Sequence, residues 1–129
     1  MVAGSNGQLL TICLVDDDPS VLKATSRLLA FSGWKVESFL DPNVFLSYAE
    51  TCQPRIVVLD ILMPIMNGLE VQTRLRTISP STRVIILTSK DDPSVRSKAM
   101  AAGATGFYLK PVNDKEFLAG VEAAASNHN

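Results

Sequence analysis

The chain has 129 residues, of which 47% are hydrophobic and 19% are charged, and its formal net charge is −1. These values are typical of a soluble globular protein with one domain and one sizeable core. The small net charge gives no global field that would recruit nucleic acid or an anionic membrane. No apolar stretch approaches the roughly 20 residues needed to span a bilayer. Cys13 and Cys52 lack motif spacing and predict free thiols in a reducing compartment, so we expect a cytoplasmic protein.

Five apolar runs rich in strand-forming residues alternate with five segments of helical periodicity. The predicted strands are 10–15, 34–39, 56–59, 83–87 and 106–109. The predicted helix starts are Asp18-Pro19, Asp41-Pro42, Gly68, Asp92-Pro93, and Asn113 with Glu116 three residues later. The fourth helix carries Val95, Ala99 and Met100, and Gly33 and Gly103 are predicted to end the first and fourth helices. Strict alternation predicts an α/β fold with a doubly wound parallel sheet, flavodoxin-like, in the order 2-1-3-4-5 with helices on both faces.

The boundaries of the domain follow from the same pattern. We expect residues 1–9 to be a flexible lead-in, residues 10–125 to form the domain, and residues 126–129 to form a polar tail. The lead-in has neither the basic region nor the apolar region of a signal peptide.

Polar residues collect where the predicted strands end. The first strand ends in Asp16-Asp17-Asp18, the third in Asp60, the fourth in Thr88 and the fifth in Lys110. Carboxyl ends of parallel strands share one edge of a sheet, so these side chains are expected to be neighbours. Clustered carboxylates repel one another, and either a divalent ion or Lys110 could compensate them. Oxygen-only ligands favour Mg²⁺. Asp18 is expected to cap a helix rather than bind the ion, because a proline follows it.

Other kinds of site are disfavoured by the residues that the sequence lacks. The only histidine is His128, near the end of the chain, which argues against a zinc site or a Ser-His-Asp triad. No phosphate-binding loop of the form G-x-x-x-x-G-K-[ST] occurs. Asp60 is then free to act as a nucleophile that forms an aspartyl phosphate, with Lys110 and the Thr88 hydroxyl orienting the phosphoryl oxygens.

Four short motifs occur in order, each at a predicted strand end: Leu14-Val15-Asp16-Asp17, Asp60-Ile61-Leu62-Met63-Pro64 followed by Asn67-Gly68, Leu87-Thr88-Ser89, and Tyr108-Leu109-Lys110-Pro111. Together they resemble the receiver (response-regulator) domain of bacterial two-component signalling, and the resemblance spans residues 10–125.

The resemblance implies a role for each residue of the site. Asp60 is the phosphoacceptor, and Mg²⁺, with Mn²⁺ as an alternative, is held by Asp17, Asp16, Asp60 and the backbone carbonyl of Leu62. Thr88 binds the phosphoryl group after transfer and Lys110 pairs with it. The resemblance also implies a cis Lys110-Pro111 bond and an aromatic switch at Phe107, whose ring turns inward when Thr88 is drawn to the phosphate. The position of Lys90 and Asp91 suggests that they tune the lifetime of the phosphoryl group.

The expected partner is a sensor histidine kinase or a phosphotransfer protein. The resemblance also allows a homodimer through the face formed by helix 4, strand 5 and helix 5, and implies no direct contact with nucleic acid or membrane. The domain would catalyse only its own phosphotransfer and dephosphorylation, so it is not expected to be an enzyme that acts on free metabolites. The alternative is a receiver-like module that binds proteins without being phosphorylated.

Overall fold

Five parallel strands form a sheet in the order β2-β1-β3-β4-β5. The computed structural model describes residues 10–126, so the predicted lead-in and the last three residues of the predicted tail lie outside the described residues. The strands are β1 (Thr11–Val15), β2 (Lys35–Phe39), β3 (Ile56–Leu59), β4 (Arg83–Thr88) and β5 (Gly106–Leu109). The helices are α1 (Pro19–Phe31), α2 (Pro42–Cys52), α3 (Gly68–Ile78), α4 (Pro93–Ala101) and α5 (Asp114–Ser126). The predicted fold class and strand order are confirmed.

The helices begin where side chains cap their free amide groups. The Asp18 carboxylate accepts hydrogen bonds from the backbone amides of Ser20 (2.9 Å) and Val21 (3.4 Å), so the predicted capping role of Asp18 is confirmed. Asp41 and Asp92 cap α2 and α4 in the same way. The structure also shows the predicted stops after α1 and α4, since Gly33 and Gly103 have φ angles of 98° and 101°.

A few element boundaries differ by one residue from the prediction. β1 and β2 each begin one residue later than predicted, and β4 continues to Thr88. Ser126, which was assigned to the polar tail, is the last residue of α5. No glycine or proline occurs between Val121 and Ser126, so no helix-breaking residue ends α5 before Ser126.

The sheet divides the core into two layers. Buried residues of α2, α3 and α4 pack on one face: Phe45, Leu46, Ala49, Val71, Leu75 and Ala99. Buried residues of α1 and α5 pack on the other: Leu22, Leu29, Phe117, Val121, Ala124 and Ala125. The single tryptophan, Trp34, belongs to this second layer and is 6% exposed just before β2 begins. No helix among residues 10–126 is long and apolar enough to cross a membrane.

Neighbouring residues of β5 face opposite layers, as strand geometry requires. Phe107 packs in the layer beneath α2, α3 and α4, whereas Tyr108 packs against the other layer, with its ring centroid 5.8 Å from that of Phe117. The Tyr108 ring occupies space left by Gly106 and Gly120, because a Cβ on either glycine would collide with it.

Helix α4 is anchored by fewer buried side chains than the other helices. Only Ala99 is buried, Val95 is partly buried, and Met100 is 43% exposed. A second anchor is the buried side chain of Gln72 on α3, whose Nε2 donates to the carbonyl oxygen of Ala99 at 3.1 Å.

Candidate functional site

Asp60 directly follows β3 at the carboxyl edge of the sheet. Its backbone amide donates to the Val15 carbonyl oxygen at 3.0 Å, which ties the end of β3 to the end of β1. Its side chain is only 6% exposed. Gly68, the first residue of α3, packs directly on this backbone, and a Cβ there would overlap the Asp60 carbonyl oxygen and lie 2.9 Å from the Cα of Ile61. The close approach requires glycine, so the start of α3 helps to fix Asp60.

Three carboxylates converge at this edge. Asp16, Asp17 and Asp60 each offer an oxygen, and these oxygens all lie within 4.8 Å of one another. Asp16 is 5% exposed, whereas Asp17 is exposed to solvent. The set consists only of carboxylate oxygens, which are ligands that suit Mg²⁺ or Mn²⁺. The residues present therefore fit a hard divalent cation, and Asp16, Asp17 and Asp60 are the side chains that would hold it.

Lys110 brings a positive charge to the same cluster. Its Nζ lies 2.7 Å from Oδ2 of Asp16 and 3.3 Å from Oδ2 of Asp60. Lys110 follows β5, and its backbone amide donates to the Thr88 carbonyl oxygen at 2.8 Å. The Lys110-Pro111 peptide bond is cis, as predicted. The lysine therefore bridges the two buried carboxylates.

Burial and this ion pair shift the pKa values in the cluster. Burial raises the pKa of Asp16, with a further increase from the charge of Asp60, and the hydrogen bonds from Lys110 and from the Asp18 amide only partly oppose it. For Lys110, burial lowers the pKa, but the hydrogen bond to Asp16 and the charge of Asp60 outweigh it, and the net shift is upward. The ammonium group is thus held in its charged form.

Thr88 ends β4 beside this cluster and is fully buried. Its Oγ1 has no hydrogen-bond partner among residues 10–126. A buried hydroxyl without a partner is costly, so an orphaned one next to a charged cluster marks a place where a polar ligand fits.

Leu62, Lys90 and Asp91 lie around Asp60 and Thr88 at the carboxyl edge of the sheet. The Leu62 amide donates to Oδ1 of Asp60 at 3.3 Å, while the Leu62 side chain is 48% exposed. Lys90 borders a small crevice that Thr88 and Leu62 also line. Asp91 is exposed in the same loop. Metal binding by the Leu62 carbonyl and the effect of Lys90 and Asp91 on phosphoryl lifetime stay predictions.

Phe107 lies below the site and is 9% exposed, within the core layer that it shares with Ala99. The guanidinium carbon of Arg96 on α4 lies 5.2 Å from the centre of its ring. Arg96 is not among the site residues predicted from the sequence. Its position three residues before Ala99 was the available signal, because residues at that spacing share one face of a helix.

The fold and the site together define a class: a doubly wound α/β domain with an acidic cluster and a lysine at the carboxyl edge of its sheet. Residues 12–122 match the family described as the response regulator receiver domain. The chain is 32% identical over 114 residues to a probable transcriptional regulatory protein, TcrX, of Mycobacterium tuberculosis, covering 88% of this chain and 49% of TcrX. It is 35% identical over 113 residues to the response regulator protein TodT of Pseudomonas putida, covering 88% of this chain and 50% of TodT.

Solved structures agree with these sequence matches. A CheY-like receiver domain protein from Methanospirillum hungatei superposes with a TM-score of 0.88 at 26% identity, covering 94% of this chain and 97% of that one. The BeF3-activated receiver domain of DrrB superposes with a TM-score of 0.83 at 32% identity, covering 93% and 100%. The chain belongs to the response regulator receiver domain family. It spans about half the length of the curated relatives it matches.

Proposed function

We propose that this chain is a phosphorylation-activated receiver in which Asp60 accepts a phosphoryl group from a phosphohistidine of a sensor histidine kinase or phosphotransfer protein. The observation that carries the proposal is the position of the Asp60 carboxylate, which shares a cluster with Asp16 and Asp17 and contacts Nζ of Lys110 at 3.3 Å. A nucleophilic carboxylate at a parallel-sheet edge, flanked by cation ligands and by a fixed ammonium group, suits phosphoryl transfer.

In this mechanism a carboxylate oxygen of Asp60 forms a bond to phosphorus as the bond from phosphorus to the donor nitrogen breaks. A bound Mg²⁺ would supply charge neutralisation for the phosphoryl oxygens. Lys110 supplies a second positive charge from the side of Asp16 and Asp60. The Thr88 hydroxyl, which is buried beside the site, donates a hydrogen bond to a phosphoryl oxygen once the group is attached. Attack by water later releases phosphate and restores the Asp60 carboxylate.

The signal would leave the site through Thr88 and Phe107 and change the face formed by α4, β5 and α5. We propose that this face makes the output contact, a homodimer among the options, and that the protein works in the cytoplasm without binding nucleic acid or membrane through this domain. The receiver catalyses only reactions of its own aspartate. The activated form named for the DrrB receiver domain contains BeF3, a phosphoryl mimic, which supports the same chemistry here.

The test is incubation with acetyl phosphate, with and without Mg²⁺, followed by intact-mass measurement. We expect the wild type to gain the mass of one phosphoryl group only when Mg²⁺ is present, and Asp60→Asn to gain none. Asp41→Asn is the matched control, because Asp41 also follows a strand but caps α2, and asparagine caps equally well. If the wild type gains no phosphoryl group and binds no beryllofluoride, the chain is a protein-binding module that is not phosphorylated.

A further inference from the structure

Arg96 and Phe107 form a contact between α4 and β5 that the phosphotransfer chemistry does not use. The Arg96 guanidinium carbon lies 5.2 Å from the centre of the Phe107 ring. A cation at this distance is attracted to the electron-rich face of an aromatic ring. Among residues 10–126, the ion pairs involve only Arg74 and Lys110 as cations, so the guanidinium of Arg96 has no carboxylate partner there. The contact described for its charge is the face of the Phe107 ring.

This contact lies close to the phosphorylation site. Phe107 pairs in register with Ile86, two residues before Thr88 on the neighbouring strand, and Thr88 pairs with Leu109. Lys110 follows and bridges Asp16 and Asp60. A change in the position of the Phe107 ring is therefore expected to shift the end of β4, where the unpartnered Thr88 hydroxyl lies.

The contact also matters for the helix that carries Arg96. Ala99 is the only buried residue of α4, and the Gln72 hydrogen bond is its one buried polar anchor within the described part of the chain. The attraction between Arg96 and Phe107 adds to these few contacts and links α4 directly to β5. Ring and helix are therefore expected to move together.

We infer that Arg96 is a positioning residue of the switch, which holds the Phe107 ring inward and thereby couples α4 to the site. The functional consequence rests on the proposed phosphoryl switch, whereas the contact itself does not. An exposed cation–π contact changes an equilibrium between two ring orientations about two- to fivefold. If the inward orientation accompanies phosphoryl binding, loss of the contact weakens binding of a phosphoryl mimic by up to the same factor, because a smaller fraction of the protein then has the ring in the orientation that binds.

The first test measures the ring without any phosphodonor. The protein is labelled with fluorophenylalanine, and the ¹⁹F signal of Phe107 among the five phenylalanines is assigned from its loss in Phe107→Leu. We expect Arg96→Gln to move the chemical shift of this signal toward that of a solvent-exposed fluorophenylalanine. Arg96→Lys should leave the chemical shift nearly unchanged, because lysine restores the cation. Lys98→Gln, which removes an exposed cation from the same helix, is expected to change nothing.

The second test measures the affinity for beryllofluoride in the presence of Mg²⁺. Arg96→Gln should weaken it measurably, by up to about fivefold, Arg96→Lys should restore it, and Arg96→Gln should have no further effect in a Phe107→Leu background. An unchanged Phe107 signal in Arg96→Gln, an equal effect of Lys98→Gln, or failure of Arg96→Lys to rescue would each overturn the inference. If the wild type binds no beryllofluoride although the ring signal responds as expected, the phosphoryl function fails while the contact stands.

Discussion

The charges of Asp16, Asp60 and Lys110 are mutually dependent. The carboxylates of Asp16 and Asp60, on side chains that are 7% and 6% exposed, share one ammonium group at 2.7 and 3.3 Å. Removing one partner of a buried pair is more damaging than replacing the whole pair, because the remaining charge is left buried without compensation. The lysine is therefore expected to support the structure as well as the chemistry.

A Lys110→Met variant tests this dependence. In the absence of divalent ions we expect the free energy of unfolding to fall by about 3 kcal/mol, the lower end of the range for breaking a buried pair, because the lysine side chain is 18% exposed. Added Mg²⁺ should recover part of the loss, since it supplies positive charge to the same carboxylates. Urea denaturation with EDTA and with Mg²⁺ measures both effects.

Lys115→Met, at an exposed lysine in the first turn of α5, is the control for that experiment. It should change stability by no more than about 0.5 kcal/mol, as is usual for surface substitutions. Equal stability of the two variants would contradict a structural role for the ammonium group of Lys110.

For individual residues, the sequence predicted which side chains lie close together, but not which atoms contact one another. That Asp16, Asp60 and Lys110 share an edge followed from parallel strand ends. Whether Lys110 itself compensates the acids was open, since the reach of a side chain depends on the loop that carries it. The contact of Arg96 was not predictable for a related reason: its helical spacing with Ala99 indicates the face of α4 on which it lies, but not the Phe107 ring of another element that it contacts.

Among the helices, α4 is the element with the weakest attachment. It buries one residue, Ala99, whereas α2 buries four: Pro42, Phe45, Leu46 and Ala49. The start of α4 was predictable, since Asp92-Pro93 repeats the cap seen at α1 and α2. Its loose packing was not, because Met100 has helical spacing with the inner residues yet is 43% exposed. Helical spacing identifies which face of a helix is apolar, but it does not predict how much of that face is buried.

We therefore predict that amide protons in α4 exchange with solvent faster than those in α2. Local opening costs less free energy where few apolar contacts are lost. Gln72→Leu removes the side-chain hydrogen bond to the Ala99 carbonyl oxygen and should accelerate exchange in α4 while leaving α2 unchanged. Hydrogen exchange followed by mass spectrometry of peptides measures both helices together.

Thr73→Ala, at the next residue of α3, is the matched control because Thr73 is exposed and its hydroxyl bonds only to the Leu69 carbonyl oxygen of its own helix. Exchange in α4 should be unaffected by it. Protection of α4 equal to that of α2, or no response to Gln72→Leu, would show that α4 is held by something else.

For the whole molecule, the buried thiol of Cys13 and the partly buried phenol of Tyr48 make the free energy of unfolding depend on pH in the alkaline range. Burial, with a smaller contribution from the charge of Glu37, raises the pKa of the Cys13 thiol from 9.0 to about 12. Burial likewise raises the pKa of Tyr48 from 10.0 to about 12. In the folded chain both groups keep their protons at pH values where the unfolded chain has lost them. Their contribution to stability is complete below about pH 9 and is lost as the pH rises toward 12.

The free energy of unfolding should accordingly decrease from pH 9 to pH 11, by up to about 1.4 kcal/mol per pH unit from the buried Cys13 thiol and by less from Tyr48, because its side chain is only partly buried. Urea denaturation at pH 8, 9, 10 and 11 gives the slope. In Cys13→Ala the slope should be shallower, whatever the absolute stability of the variant, because one of the titrating groups is gone. An identical slope in the variant would show that the Cys13 thiol does not contribute.

The topology of the whole chain was the most predictable feature. Five strands alternating with five helices leave few ways to bury both faces of a parallel sheet, and connections that avoid crossing reduce them further. The carboxyl ends of these parallel strands then determine the edge of the sheet at which a ligand can bind. Single-residue differences, such as Ser126 in α5, arise because helix ends depend on local hydrogen bonds rather than on the pattern of burial.

The place of Trp34 determines how this protein can be observed by fluorescence. It precedes β2, so the length of a five-residue strand, roughly 16 Å, separates its indole from the carboxyl edge where Asp60 lies. Buried among α1 and α5, the indole will report loss of the core on denaturation, but its emission will be insensitive to Mg²⁺ or to a phosphoryl group. The exposed thiol of Cys52, in a chain whose other cysteine is buried, offers a single attachment point for an external dye without any mutation.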